Sequence, residues 1–574
     1  MSIHHRPLAY LFVSMIAMTV PVLTYGQETA AQTATTSLAV RAVSFHPPDD
    51  TTRFYHAKVE LGEAEYDVAI TSAVVGGNTE VFVAYVDGQL TQWEPDGRVD
   101  RPANGTVPAG KEAVFNVRCP WVAGESVAIE LDGKRLDTEE PVKIEIEETA
   151  PAGPGFPFAG WAEHRVLVLR DDFGIERKQA PYMLFISDEA DRVQSWTKEL
   201  RVAAYDLKTG ATGEIPSQVF YEKRRFDTPK QESTYTTCQA AILVDVPANG
   251  KAYYIVAYGN DGAEAPSYES DLKVSQRDDG ATWIENEFYE VQLDPQNQSI
   301  NGFRSKQFGV GEKRTFGFPE KPGYTLHYNP DVWVKNRPWT HTKGWNPPPK
   351  RVMQQGPVAV AWRRWGHLPE ATEVDVNVTY HFFAKTPYVL VESTIDIRED
   401  LVVNALRNEE VVFMPSTEVD HAGWRRQNGE IDYRPMVQGE GLTPGIVNIV
   451  AAEAPYVCLT REDNGIGLAS IRLKQHAGTR GAWPPVIAST ATIIADYGWN
   501  FRYWSRSLVY PWGDYVPDHP VVLNAETYYG EKSAFCVFPI GDGKSPERKL
   551  AYIDTLYDEL SHPISIDHQG AGPW

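Results

Sequence analysis

The segment Val374-Asp-Val-Asn-Val-Thr-Tyr-His-Phe382 places an apolar residue at every second position and a polar or smaller one between. That period of two is the period of a β-strand with one buried face, and no helix can bury it on one side. The same signature recurs along the chain, as in Val81-Phe-Val-Ala-Tyr-Val86, Val142-Lys-Ile-Glu-Ile146, Arg165-Val-Leu-Val-Leu169, Tyr182-Met-Leu-Phe-Ile186, Ala240-Ala-Ile-Leu-Val-Asp-Val246 and Tyr253-Tyr-Ile-Val-Ala-Tyr258. Asp87-Gly88 and Asp132-Gly133 follow such runs, and Asp-Gly is a strong hairpin signal. With 16 Trp, 28 Tyr, 22 Phe, 44 Gly and 41 Pro in 574 residues, the composition favours strands and turns. The expected class is all-β.

Breaks in the pattern divide the chain. Residues 1–26 read as a secretory signal peptide: a cationic start through Arg6, an apolar run Leu8 to Leu23, and small residues near Gly26. Residues 27–37 read as a disordered linker. A first β-sandwich is expected over 38–150, closed by Pro/Gly-rich 150–157, a second over 158–275, and a large two-sheet unit over 281–574. One helix is expected near the end, with Ser545 as N-cap, Pro546 in its first turn, and Leu550, Ile553, Leu556, Tyr557 and Leu560 as its apolar stripe. The protein is expected to be secreted or periplasmic.

Lys and Arg total 54 against 77 Asp and Glu, a formal charge of −23, which opposes a general nucleic-acid binder. Cys119, Cys238, Cys458 and Cys536 are widely spread and form no CxxC pair, so buried thiols are expected rather than a metal or redox motif. No HExxH, G-x-S-x-G or P-loop occurs. No metal and no cofactor is assigned.

The run Trp283-Ile-Glu-Asn-Glu-Phe-Tyr-Glu-Val-Gln-Leu-Asp294, followed by Ile300-Asn-Gly-Phe303, resembles the first hairpins of galactose-mutarotase-like β-supersandwich domains. Tyr380-His-Phe-Phe-Ala-Lys-Thr-Pro-Tyr-Val-Leu-Val-Glu392 is similar to paired strands of the same group. Arg165 opening a strand and Ile215-Pro-Ser-Gln218 resemble the small β-domains that accompany them. The resemblance extends over residues 160–574 and implies two small β-sandwiches, a C-terminal supersandwich and a carbohydrate ligand. It reaches polysaccharide lyases, including exo-rhamnogalacturonan-lyase-like proteins, and the C-terminal part of family 38 glycoside hydrolases. This chain lacks the helical toroid of many such lyases and the catalytic apparatus of family 38, which disfavours a hydrolase of that family.

Charge is unevenly placed. Residues 301–368 carry twelve Lys and Arg against Glu312, Glu320 and Asp331, a local +9 interleaved with Tyr, Trp and His. Flat apolar faces beside cations suit a sugar ring bearing an acid group. A second aromatic cluster lies at 496–515, where Gly and Pro favour a loop or rim. The expected substrate-binding residues are Tyr324, Tyr328, Trp339, Trp345, Arg364, Tyr497, Arg502 and Trp504.

β-Elimination on a uronic-acid polymer requires a carboxylate clamp, a base for the C5 proton and an acid for the leaving oxygen. Arg337 and Arg506 are the expected clamps, since a guanidinium offers a planar fork. His341 is the expected base and Tyr503 the expected acid. The expected partner is an acidic polysaccharide or oligosaccharide, without nucleic acid and without membrane insertion. A non-catalytic carbohydrate-binding protein, and a hydrolase or epimerase on the same fold, are the alternatives. Each Trp alone is by default core and each Arg by default surface charge.

Overall fold

The computed structural model describes residues 38–48, 54–91, 105–151, 155–189, 192–206, 212–226, 233–308, 315–317, 325–345, 350–438, 445–451, 453–479, 491–496, 501–509 and 520–570. The expected signal and linker lie outside them. The chain is all-β with antiparallel sheets, and it divides into two compact units, residues 1–156 with 572–574, and residues 157–571.

The first unit pairs two five-stranded sheets. Asp87 and Gly88 turn with φ of 48° and 74°, the left-handed pair that a tight hairpin needs. Asp132-Gly133 makes no turn. Both lie inside the strand Ser126–Arg135, and the chain reverses beyond it, where Glu139 takes φ 59°. A Cβ on Gly133 would sit 2.3 Å from the carbonyl oxygen of Ala69, so this glycine serves close strand approach.

The second unit opens with a five-stranded and a three-stranded sheet built from residues 163–258, facing each other across Leu167, Leu184, Trp196, Ile242, Tyr254 and Val256. The strand Ser565–Gly570 returns to pair with Glu163–Arg170 in the first of these. Gln218 lies in the strand Ser217–Phe226, where its amide donates to Ala359 O and accepts from the backbone N–H of Val358 and Ala359, tying this layer to the sheets beyond.

Residues 273–317 form a five-stranded meander in which Thr282–Glu285, Tyr289–Leu293 and Ile300–Ser305 pair in turn. Next come a seven-stranded and a nine-stranded sheet. The seven-stranded sheet runs, neighbour to neighbour, through Thr340–His341, Thr325–Val334, Leu401–Met414, Arg502–Ser507, Ala491–Asp496 and Gly445–Ala451, with Val521–Leu523 on the start of the third. The strand Ala371–Phe383 sits in the nine-stranded sheet with the expected alternation, Val374, Val376, Val378, Tyr380 and Phe382 inward. These meet Leu326, Val332, Leu406, Val411, Phe413 and Trp504 of the seven-stranded sheet in one continuous core.

The expected C-terminal helix is present as Pro546–Lys549 and Ala551–Ser561. Ser545 Oγ accepts from the Arg548 N–H at 3.4 Å, and Leu550, Ile553 and Leu556 cover the far face of the nine-stranded sheet. All four cysteines are buried free thiols, with burial raising the Cys119 and Cys536 pKa values to about 12.

Candidate functional site

One face of the seven-stranded sheet meets the core, and the other gathers Ala405, Val412, Ile493, Ala495 and Tyr503 with half-buried Trp333, Trp339, Met414 and Phe501. The site on this outer face is created by a bulge in the strand Leu401–Met414. On the Thr325–Val334 side, Asp331 faces Arg407 and Asn329 faces Glu410; on the other, Ser507 faces Arg407 and Ser505 faces Glu410. Three steps on the central strand therefore match two on each neighbour. The bulge turns Arg407 and Glu410 to the outer face and sends Asn408 and Glu409 inward.

On the outer face the Arg407 guanidinium grips both oxygens of Asp331, one at 2.8 Å, and lies 2.7 Å from Glu410 Oε1. Trp339 Nε1 donates to Asp331 Oδ2 at 3.0 Å, and the Trp339 ring stacks on Trp333 with centroids 5.4 Å apart. Arg407 lies over Trp339 at 4.6 Å and toward the Tyr503 ring at 6.0 Å. His341 faces Asp331 across the sheet edge, and its buried Nδ1 has no hydrogen-bond partner among the described residues. The backbone N–H of Lys343 donates to Asn329 Oδ1 at 3.1 Å.

The electrostatics follow from burial. Desolvation pushes the Glu410 pKa up to about 7, with Arg407 opposing and Asp331 adding to the rise. Burial works to lower Arg407, but Asp331 and Glu410 outweigh it and hold the guanidinium charged. Burial lowers His341 against the pull of Asp331, so the imidazole is a neutral proton acceptor at neutral pH. Burial also lowers Lys343, opposed by Asp294 and Glu410.

Among the expected catalytic residues, His341 and Tyr503 both lie on this face around Arg407, His341 half-buried and Tyr503 buried. Arg506 does not. It is buried between the two sheets, 2.7 Å from Glu531 and 3.5 Å from Glu409, so both of its carboxylate partners are internal and the expected substrate clamp is corrected to an interior ion cluster. Glu409 is held there by Trp504 Nε1 at 3.0 Å and Ser533 Oγ at 2.9 Å. Arg337, on the exposed turn before Thr340, makes a two-pronged bond to Glu373 at 2.7 and 3.0 Å, so its fork too is occupied.

The expected substrate-binding set divides likewise. Trp339 belongs to the outer face. Tyr328 and Trp504 are core residues, edge-on to Phe535 and tilted against Phe413 respectively. Arg364 is fully buried and donates to the carbonyls of Asn297 and Tyr328, and Trp345 donates to His367 O. These four are buried, as Tyr503 is, but unlike Tyr503 they lie in the interior between sheets. Arg502 bonds Asp496 at 2.9 Å and the carbonyl of Val419, pinning a strand end. Tyr324 and Tyr497 lie outside the described residues.

The +9 window resolves differently from its sequence. Arg304, Lys306 and Arg337 pair with Glu290, Glu285 and Glu373, so acids outside the window neutralise part of it. Asp331, Arg407, Glu410 and Trp333 complete this cluster and are not among the expected residues. Their signals were present: Asn329, Asp331 and Trp333 alternate on one strand, and Arg407-Asn-Glu-Glu410 interrupts an otherwise apolar strand.

No known family profile matches the sequence, and no curated protein matches it. Among solved structures, the chain is similar to a protein in the glycosyl hydrolase family 38 from Enterococcus faecalis, at 13% identity and a TM-score of 0.43, over 71% of this chain and 47% of that one. It is similar to an alpha-mannosidase from Enterococcus faecalis V583 at 13% identity and TM-score 0.40, over 71% and 46%. It is also similar to the GH36 alpha-galactosidase AgaA from Geobacillus stearothermophilus, at 12% identity and TM-score 0.26, over 47% and 40%. The chain spans about half the length of the first two. These likenesses carry neither an activity nor a substrate to this chain.

Proposed function

We propose that the outer face of the seven-stranded sheet is a saccharide site and that the protein is an exported polysaccharide lyase acting on a uronic-acid-containing polymer. The observation that carries this reading is the convergence around Arg407 of a neutral imidazole with an unpartnered nitrogen, a phenol and a stacked tryptophan pair. Aromatic faces suit the apolar side of a sugar ring. His341 takes the C5 proton, the electron pair forms the C4–C5 double bond, the C4–O bond breaks, and Tyr503 protonates the departing oxygen. Glu410, carried largely protonated below pH 7, donates a hydrogen bond to the substrate carboxylate, and Lys343 supplies positive charge nearby.

Asp331 and Glu410 both converge on Arg407 instead of flanking a gap, which speaks against the two-carboxylate arrangement of a glycosidase. A second reading, a non-catalytic saccharide-binding protein, is favoured by one observation: the Arg407 fork is already filled by two acids. Incubation with pectin, ulvan, alginate and glycosaminoglycans separates the readings. A lyase yields an ultraviolet-absorbing unsaturated product, a binder yields heat of binding without product, and a hydrolase yields reducing ends without a double bond.

A further inference from the structure

The nine-stranded sheet carries a second polar recess that shares no residue with the outer-face site. The strand Ile466–Thr479 outruns its neighbour Tyr456–Arg461, whose pairing stops at Ile471. One more bond, from Arg472 N–H to Pro455 O, closes that edge, and the register on the other side slips between Arg472 and Lys474. Beyond the slip a cavity of about 520 Å³ opens, lined by Arg472, Lys474, Gln475, Tyr557, Leu560 and Glu453.

Its polar groups are incompletely matched. Arg472 is half-buried; Glu531 and the lining residue Glu453 act on its charge, yet among the described residues no carboxylate lies within 4.0 Å of it, and one guanidinium nitrogen donates to Gln475 Oε1 at 3.2 Å. Gln475 Nε2 is buried without an acceptor. Exposed Lys474 makes no ion pair with a described residue. A buried donor without an acceptor and a half-buried cation without a close carboxylate are both costly, and an incoming anion relieves each. At the end of the helix Ala551–Ser561 the carbonyls of Glu559 and His562 already accept from Arg177. Tyr557, edge-on to Tyr456 and faced by Arg425, gives the recess a fixed aromatic wall beside Leu560.

We propose that this recess binds a sugar acid, its carboxylate on Arg472, Gln475 Nε2 and Lys474 and its ring against Tyr557 and Leu560. The volume accommodates a mono- or disaccharide, and two cations with an amide donor select for a carboxylate over a neutral sugar. The site stands whether or not the outer face is catalytic.

Equilibrium dialysis with D-galacturonate, D-galactose and acetate tests it on the full chain. Trp339→Ala, which weakens the outer face, should still bind galacturonate at this site, while Lys474→Glu with Gln475→Leu added to it should lose that binding at least tenfold, with folding checked by circular dichroism. Arg472→Met should do the same, and the surface pair keeps the test interpretable if that variant unfolds. Galacturonate binding unchanged when Lys474→Glu/Gln475→Leu is added to Trp339→Ala, binding abolished by Trp339→Ala alone, equal binding of galactose, or acetate binding as tightly as galacturonate would each overturn the proposal.

Discussion

Arg407 and Glu410 are three residues apart on one β-strand, a spacing that strict alternation would send to opposite faces, yet Glu410 Oε1 lies 2.7 Å from the Arg407 guanidinium. The bulge that makes this possible also drives Glu409 inward to Arg506, so one irregularity builds two ion clusters, one on each side of a single sheet. The outer cluster faces the stacked tryptophans and His341; the inner one joins the two sheets.

Removing Arg407 should expose how strongly its acids depend on it. Arg407→Met leaves Asp331 and Glu410 buried as neighbouring acids, and a loss of about 3–5 kcal/mol is expected in denaturant unfolding. Adding Glu410→Gln should restore part of that loss above pH 7, where it replaces a buried acid that has lost its cation with a neutral amide. Additive losses in the double variant would show that the pair is not coupled.

The pH dependence has a defined sign. Glu410 and Glu531 both have folded pKa values raised to about 7 against 4.5 for the free side chain, chiefly by burial. Each contributes stability that is fully present below about pH 4.5 and is lost as pH rises through 7, at about 1.4 kcal/mol per pKa unit. Glu531→Gln should flatten that slope between pH 4.5 and 7 in urea unfolding. An unchanged slope would remove Glu531 as its source.

Two tryptophans should separate binding from stability. Trp504 is fully buried and donates to Glu409, so Trp504→Ala should cost about 3–5 kcal/mol of stability. Trp339 is half-buried on the outer face, and Trp339→Ala should lower saccharide affinity tenfold or more in calorimetry. The reverse pattern would place the ligand elsewhere.

The thiols should be silent in the folded state. Cys458 and Cys536 lie on strands flanking Ala469, each opposite it in register, which puts two strand spacings between them. At roughly 4.8 Å per spacing, that is beyond disulfide reach. Thiol titration should find none reactive in the folded protein and four after denaturation; fewer than four in denaturant would indicate a disulfide.

Strand identity was legible because alternation is written locally, as in Val374–Phe382, and the helix because Ser545, Pro546 and the apolar stripe from Leu550 to Leu560 obey local rules. The site was legible in part. His341, Tyr503 and Trp339, expected from clustering of aromatic and ionisable residues, share the outer face, but Arg506, three residues from Tyr503, faces the core. A strand alternates sides, so neighbours in sequence do not share a face, and clustering alone cannot choose between faces. Asp331, Arg407 and Glu410 depend on a bulge defined by both neighbouring strands, which is a relation of register that no single segment contains.

The central claim rests on His341. The most direct measurement follows unsaturated product by ultraviolet absorbance on uronate polymers, with wild type, His341→Ala and Tyr503→Phe compared and binding measured alongside. The account predicts product from the wild type, a fall of at least a hundredfold in kcat for each variant, and saccharide affinity within a few fold of wild type. Binding without any product in the wild type, or full turnover in His341→Ala, would contradict it.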